Sequence, residues 1–429
     1  MSSVTEVELG EGRIIRITGP AKVDVVTGRI LAVGSKFPAG SSLVIHKFRS
    51  YGIKVLTQSK VRITLGEGAK VEEARNGEEV VDEWLRVVEY ILRKCAERLC
   101  KILVVGPPES GKSTFTAFLA NYLREAGVRV GVIDGDVGQE DILIPTTVAL
   151  TEVTKPILWL RELEPQLFKF VGCISPQYCY PESILAIKEL VDEAVKLGFR
   201  AIVVNTDGWV GTTSGIEHKL AITRWIKPDI VVVTDREVFD YLSKCIDGLV
   251  EVVYTSRPTV ARERSREERR ELRTQAYRKY FSRGRIRRVK LGSIGILNIR
   301  ALAGRAIPAD EIRKLLEISD SDLSKVAYSS KYGDTVFLVT KEPVDISLNQ
   351  NEAGKVAVLN LRDLRGAIVG LLGERLSDVG IGVILDADLE SQEVTILTPW
   401  DGAIRGLVVG KVRLSEDFEE IGRVSKCIL

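Results

Sequence analysis

The chain has 429 residues, 45% of them hydrophobic and 28% charged, with a formal net charge of +2. That composition excludes a disordered or collagen-like chain and suits a globular protein of two to four domains, at roughly 100–200 residues each. No uninterrupted apolar run reaches the ~18 residues of a membrane helix, and Met1-Ser2-Ser3-Val4-Thr5-Glu6 lacks the parts of a signal peptide; a cytoplasmic protein with no membrane association is expected.

The cysteines (Cys95, Cys100, Cys173, Cys179, Cys245 and Cys427) are dispersed without a C-x-x-C, which argues against a zinc site or disulfide framework and predicts thiols. His46 and His218 are the only histidines, so histidine metal clusters and Ser-His-Asp triads have little support.

Residues 1–78 read as a small β domain. Runs such as Arg13-Ile14-Ile15-Arg16-Ile17 and Ser42-Leu43-Val44-Ile45 are divided by turn signals at Gly19-Pro20 and Pro38-Ala39-Gly40. From Glu79 to Leu99 the period changes: Val80, Val81, Trp84, Leu85, Val88, Ile91 and Leu92 share one helical face. A second domain, 79–288, begins with this helix.

The apolar run Ile102–Val105 leads into Gly106-Pro107-Pro108-Glu109-Ser110-Gly111-Lys112-Ser113-Thr114, a full match to G-x-x-x-x-G-K-[ST], and a helical pattern follows from Phe115 to Leu123. Strand, glycine loop and helix make a phosphate-binding site. Glycines let backbone N–H groups face phosphate oxygens, and the helix N-terminus adds a positive dipole end. Lys112 can reach the β/γ-phosphates and Ser113 can ligate Mg²⁺.

Further apolar strands are expected at Val128–Ile133, Ala201–Val204 and Ile230–Val233, with helices at Ser183–Leu197 and Gly215–Ile226. Continuously apolar strands alternating with helices predict an α/β fold with a central parallel P-loop NTPase sheet. Ile133-Asp134-Gly135-Asp136-Val137-Gly138-Gln139 follows one strand, and its two carboxylates suit Mg²⁺ ligation, water positioning or proton acceptance; the bland alternative is a solvated turn. Gly172-Cys173-Ile174-Ser175-Pro176 alone reads as a turn. Val203-Val204-Asn205-Thr206-Asp207-Gly208-Trp209-Val210 ends another strand, and an exposed Trp209 could stack on a nucleobase, though tryptophan also packs in cores.

Between Arg257 and Lys290 stand 14 Lys/Arg against 4 Asp/Glu, which points to a polyanion partner. Residues 262–281 in this segment have helical propensity without a broad apolar face. After Arg288 short runs return (Gly295–Ile299, Thr335–Val339, Gly382–Leu385, Val394–Leu397), so 289–429 is expected to be a mostly β domain with a helix near Ala309–Leu316. Two smaller, mostly β domains would then flank the P-loop sheet.

Together these motifs resemble the polynucleotide 5′-hydroxyl kinase family, which includes RNA kinases of the mRNA cleavage factor and tRNA-splicing machinery, pre-rRNA-processing kinases and archaeal relatives. The resemblance rests on the loop at 106–114, D-x-D-x-x-Q at 134–139, T-x-G-W at 206–209 and an arginine lid at 263–273, within 257–290, that ends in Tyr280-Phe281. It implies transfer of the γ-phosphate of ATP, GTP or another NTP, with Mg²⁺, to the 5′-hydroxyl of RNA; DNA is often accepted by the family. Protein partners from RNA processing are implied as well. Carried over by residue, Gly106 to Thr114 would hold the phosphates, with Lys112 on their oxygens and Ser113, Asp134 and Asp136 near the metal. Asp136 would be the general base. Arg264, Arg269 and Arg273 would close over the phosphates. Gln139, Thr206, Gly208 and Trp209 would form the RNA side, with Trp209 stacked on a base. Ser175 and Pro176 would belong to a nucleotide-base clasp.

Three other readings fit parts of the chain. A nucleotide-bound RNA-processing scaffold would bind without turnover. A switch NTPase would hydrolyse without an acceptor. A small-molecule kinase explains the loop but not Trp209 or the basic segment.

Overall fold

The structure, a computed structural model, describes residues 3–75, 77–95, 98–260, 263–348, 354–389 and 391–424. Ala261 and Arg262 of the expected lid, Met1, Ser2 and Cys427 lie outside the described residues. The chain divides into two compact units, Met1–Lys169 with Ser175–Leu272, and Phe170–Ile174 with Arg273–Leu429.

In the first unit, β1 (Ser3–Leu9), β2 (Ile14–Thr18), β3 (Ala21–Ala32), β4 (Ser35–Pro38), β5 (Ser42–Ile45), β6 (Ser50–Leu65) and β7 (Lys70–Glu73) form one antiparallel sheet. Along β6, Tyr51, Ile53 and Val55 are buried and their neighbours less so, the alternation of a sheet with one covered face. Helix α1 (Val81–Cys95) buries Val81, Trp84, Val88 and Ile91, a helical stripe.

The second sheet of this unit is built from β8 (Cys100–Val105), β9 (Val130–Gly135), β10 (Thr147–Glu152), β11 (Leu167–Phe170), β12 (Ala201–Thr206), β13 (Ile230–Val233) and β14 (Glu251–Tyr254), in the order β11-β10-β9-β12-β8-β13-β14. β9, β12, β8, β13 and β14 are parallel, whereas β10 runs antiparallel to β9. Helices α2 (Lys112–Glu125), α3 (Tyr180–Lys196), α4 (Thr213–Ile226) and α5 (Arg236–Cys245) connect these strands. Ile102 to Val105 are wholly buried, as a strand covered on both faces requires. One apolar core joins the two sheets of this unit, from Ile17 and Tyr51 through Trp84 and Phe118 to Ile102 and Val203. The α/β class is therefore observed, with several sheets.

Helix α6 (Arg266–Phe281) crosses the division between the units. The second unit holds a seven-stranded sheet that includes Ala367–Leu372, Asp378–Asp388, Glu393–Thr398 and Gly406–Leu414. It also contains a four-stranded sheet, which includes Val326–Tyr332 and Thr335–Thr340, a two-stranded sheet of Leu316–Ile318 and Ile346–Leu348, and helices at Ala309–Leu315 and Asp320–Leu323. Among the described residues no helix is long and apolar enough to cross a membrane.

The cysteine expectation needs correcting. Cys95, ending α1, and Cys100, starting β8, form a disulfide, their Cα atoms 5.2 Å apart. Cys173 and Cys179 are also disulfide-bonded, while Cys245 is a free, exposed thiol. Spacing along the chain hid this because bridging depends on the distance between two Cα atoms in space.

Candidate active site

Strand register assembles the site. β12 lies between β9 and β8, and Asn205 is paired with Val104 on one side and with Asp134 on the other. The segments leaving the C-terminal ends of β8, β9 and β12 thus share one edge of the sheet, where α/β folds place their ligands.

The segment after β8 is the phosphate loop. Gly111, at φ 89°, caps α2 in the left-handed region that glycine adopts without penalty. Ser110 Oγ lies 2.6 Å from Thr234 Oγ1 and donates to the Pro107 carbonyl at 2.8 Å. A Cβ on Gly106 would fall 2.1 Å from Thr234 Oγ1, so only glycine fits. The Lys112 side chain is buried and its Nζ donates to the Pro107 carbonyl at 2.7 Å, folded back along the loop. Burial lowers its ammonium to about 8, against the opposing pull of Asp136. Ser113 and Thr114 follow in the first turn of α2.

Asp134, the second-to-last residue of β9, is fully buried. Its Oδ1 accepts from Asn205 Nδ2 at 2.9 Å and from the Asp136 backbone, and its Oδ2 accepts from the Asp141 backbone at 2.8 Å. Burial, aided by the charges of Asp141 and Asp136, pushes it up to about 7. Asp136 Oδ1 accepts from the Gly138 and Gln139 backbones at 3.2 and 3.0 Å. Burial and the Asp207 charge push Asp136 up to about 6. Gln139 is half-buried and donates to the Gly138 carbonyl.

These oxygens fit a magnesium ion. Asn205 Nδ2 also reaches Ser113 Oγ at 3.3 Å, which brings Ser113 and Asp134 to the same amide. Asn205 Oδ1 is buried without a hydrogen-bond partner. A hydroxyl, a carboxylate and an orphaned amide oxygen are hard ligands of the kind Mg²⁺ prefers. Among the described residues no group of three or more His, Cys, Asp or Glu could hold a metal. Magnesium needs no such cage when phosphates and waters complete its shell.

The segment after β12 packs onto the phosphate loop. A Cβ on Gly208 would stand 2.6 Å from the Pro108 nitrogen, so the turn can approach this closely only with glycine. Thr206 is fully buried and its hydroxyl donates to the Val104 carbonyl at 2.8 Å, which ties β12 to β8. Trp209 is half-buried, its ring 5.7 Å from that of His218.

The lid arginines reach the loop through Glu109, a non-glycine residue at φ 57°. Arg264 Nε lies 3.1 Å from both carboxylate oxygens of Glu109, Arg269 Nη1 3.8 Å from one, and Arg257 Nη1 donates to the Glu109 carbonyl at 3.0 Å. Arg273, within the second unit, pairs through two nitrogens with Glu420 at 2.6 and 2.8 Å. Ser175 and Pro176 open a short 3₁₀ turn that leads into α3.

Sequence reading passed over several groups. Glu109 is expected among the phosphate-holding residues of the loop, but its pairing with Arg264 and Arg269 is not carried by the loop pattern. Asn205 is a polar residue ending an apolar strand. Asp141 accepts from Arg49, Arg161 and Trp159 Nε1 at 3.0, 2.9 and 2.8 Å, holding the backbone that donates to Asp134; pairs so distant along the chain leave no local pattern. The same holds for a cleft beside Gly111 and Thr114 lined by Tyr51, Trp84 and the buried Arg16–Glu79 pair.

A mostly parallel sheet with this loop and these carboxylates at one edge defines a phosphate-loop nucleotide-binding protein. The family profile described as mRNA cleavage and polyadenylation factor CLP1 P-loop matches residues 106–283. A polyribonucleotide 5′-hydroxyl-kinase of Methanocaldococcus jannaschii is 30% identical over 338 residues, 78% of this chain and 92% of the relative. One from Pyrococcus furiosus is 29% identical, covering 76% and 91%. The chain belongs to this polyribonucleotide 5′-hydroxyl-kinase family. The solved Clp1p–Pcf11p complex shares the fold, with a TM-score of 0.65 over 96% of this chain and 98% of that one, at 13% identity.

Proposed function

We propose that this chain is a polynucleotide 5′-hydroxyl kinase that moves the γ-phosphate of ATP, or another NTP, to the 5′-hydroxyl of RNA, with DNA as a further acceptor. The observation that carries this reading is the junction of Gly208 and Pro108, which seats the Trp209 turn against a phosphate loop flanked by Asp136. An aromatic carried by this turn could stack on a base of an acceptor strand.

Bound Mg²⁺ would neutralise charge on the β- and γ-phosphates, held by Ser113 and Asp134. Lys112 would swing from the Pro107 carbonyl to phosphate oxygens. Asp136 would accept the proton of the 5′-hydroxyl as the O5′–Pγ bond forms and the bond from Pγ to the β,γ-bridging oxygen breaks. Arg264 and Arg269 would turn from the Glu109 carboxylate toward the transferring group. Gln139 and Trp209 would hold the acceptor's 5′ end; Ser175, Pro176 and Arg273 are proposed contributors from the base clasp and lid. The three-part plan, 1–78, 79–288 and 289–429, remains our proposal for the functional domains. Protein partners from RNA processing are proposed on the precedent of the Clp1p fold relative, solved with a Pcf11p segment.

The test is transfer of labelled γ-phosphate from ATP·Mg²⁺ to a short RNA with a 5′-hydroxyl, beside the 5′-phosphorylated RNA and a DNA copy. Label on the 5′-hydroxyl strands alone supports the kinase. Bound but unused nucleotide would favour a scaffold, and phosphate release without acceptor a switch NTPase.

A further inference from the structure

Helix α3 carries an aromatic side chain to the acceptor side of the site that the transfer described above does not use. β12 runs parallel to β8 and β9, and α3 leads into its N-terminal end, so α3 begins at the edge of the sheet where the phosphate loop and the carboxylates stand. The helix has 17 residues against six in β12, about 25 Å against about 20 Å, long enough for its first turn to project beyond that edge. Ser183, Ile184, Ile187 and Val191 form its buried stripe at helical spacing. Two of these residues fix its height. Ile187 packs on Gly135, between Asp134 and Asp136: a Cβ on Gly135 would fall 2.8 Å from Ile187 Cδ1. Ser183 Oγ lies 3.1 Å from His218 Nε2, and the His218 ring lies 5.7 Å from that of Trp209.

Tyr180, the first residue of α3, continues the same stripe one turn ahead of Ser183 and Ile184. Ser183, Ile184 and Ile187 are at most 8% exposed, whereas Tyr180 is 50% exposed. Its carbonyl accepts from Ser183 Oγ at 3.0 Å, so three short links join the start of α3 to the Trp209 ring. Tyr180 stands about 4.5 Å beyond Ser183 along the helix axis, and helical side chains lean toward the N-terminus, which carries the ring farther out. An exposed aromatic by itself needs no explanation. This one tops a stripe whose next members touch Gly135 and, through His218, the base platform proposed for Trp209.

We infer that Tyr180 is a second stacking platform for the acceptor strand, holding the base that follows the one on Trp209. The inference rests on the kinase reading, which sets the 5′-hydroxyl at Asp136 and the first base on Trp209. The step of about 4.5 Å from Ser183, level with His218, out to Tyr180 is close to the ~3.4 Å advance of one stacked nucleotide. Every base has a face that a tyrosine ring can cover, so this position takes any base without sequence preference.

The experiment measures kcat, the RNA KM and the ATP KM for the unaltered chain, Tyr180→Ala and Tyr180→Phe. The acceptors are a short single-stranded 5′-hydroxyl RNA and the same RNA with its first or its second nucleotide made abasic. Tyr180→Ala raises the KM for intact RNA about fivefold or more and leaves kcat and the ATP KM near those of the unaltered chain. Tyr180→Phe keeps the ring and restores the RNA KM. An abasic second nucleotide raises the KM of the unaltered chain by a similar factor but leaves that of Tyr180→Ala where it was. An abasic first nucleotide raises the KM of both alike. That pattern couples one ring to one base, which a merely structural role would not produce. An unchanged RNA KM in Tyr180→Ala overturns the inference, as does a rise of the same size with the second base absent. A rise in the ATP KM instead gives the ring to the nucleotide and overturns it too. No transfer by the unaltered chain sinks the kinase reading and this inference with it, whereas transfer in which Tyr180→Ala matches the unaltered chain sinks this inference alone.

Discussion

At the scale of single residues, Lys112 and Asp136 have separable tasks. Lys112→Ala removes one donor to a transferring phosphoryl group, and transfer is expected to fall by about 10²–10³-fold. The fold should survive, since this side chain bonds only to its own loop's Pro107 carbonyl; circular dichroism beside the transfer assay checks both. Asp136→Asn removes the base, with an expected loss of about 10²–10⁴-fold. Its raised carboxyl sets the sign of the pH dependence. A group that titrates at about 6 is protonated and idle below that pH, so transfer rises with pH through 6 in the unaltered chain. That dependence should vanish from the residual rate of Asp136→Asn. A folded Asp136→Asn protein with near-normal turnover would remove it from the role.

At the scale of elements, the loop, the Trp209 turn and the start of the lid constrain one another. Gly208→Ala forces a methyl against Pro108, 2.6 Å from its nitrogen, and must lift the turn off the loop. The expected result is a transfer loss of about tenfold or more, a rise in RNA KM and little change in ATP affinity, because misplacing an acceptor is costly even when binding groups remain. Glu109 offers an opposite case. Its carboxylate is a negative charge inside a phosphate site, and it occupies Arg264 through both oxygens. Removing that charge in Glu109→Gln is expected to tighten ATP binding several-fold by titration. Weaker binding would mean that the carboxylate, rather than competing with the phosphate, holds Arg264 where the phosphate needs it.

At the scale of the whole molecule, charge is uneven. The segment from Arg257 to Lys290 carries ten excess positive charges on a chain whose total is +2. A single strand bound through its phosphates releases counterions, so the RNA KM should rise steeply with salt, by about tenfold or more between 50 and 200 mM. Replacing several exposed arginines of this segment should flatten that slope. An RNA KM indifferent to salt would place recognition in base contacts alone.

The phosphate loop, the Asp134–Gln139 segment, the Trp209 turn and the α/β class were legible in the sequence, because each rests on local rules: glycine where the backbone must bend, continuous apolar runs where both faces of a strand are covered, helical spacing where one face is buried. The family followed from the order of these motifs. What lay beyond sequence was pairing across distance. Parallel register alone sets Asn205 beside Asp134, and only the fold brings Cys95 and Cys100 to within bonding reach. The partnership of Glu109 with Arg264, 155 residues away, and that of Asp207 with Lys219 beneath Trp209 arise only when separate elements share one edge of a sheet. Hydrogen bonds and ion pairs act over a few ångströms of space whatever the separation along the chain, so local sequence carries the loop and turn motifs, and tertiary structure alone decides which side chains partner them.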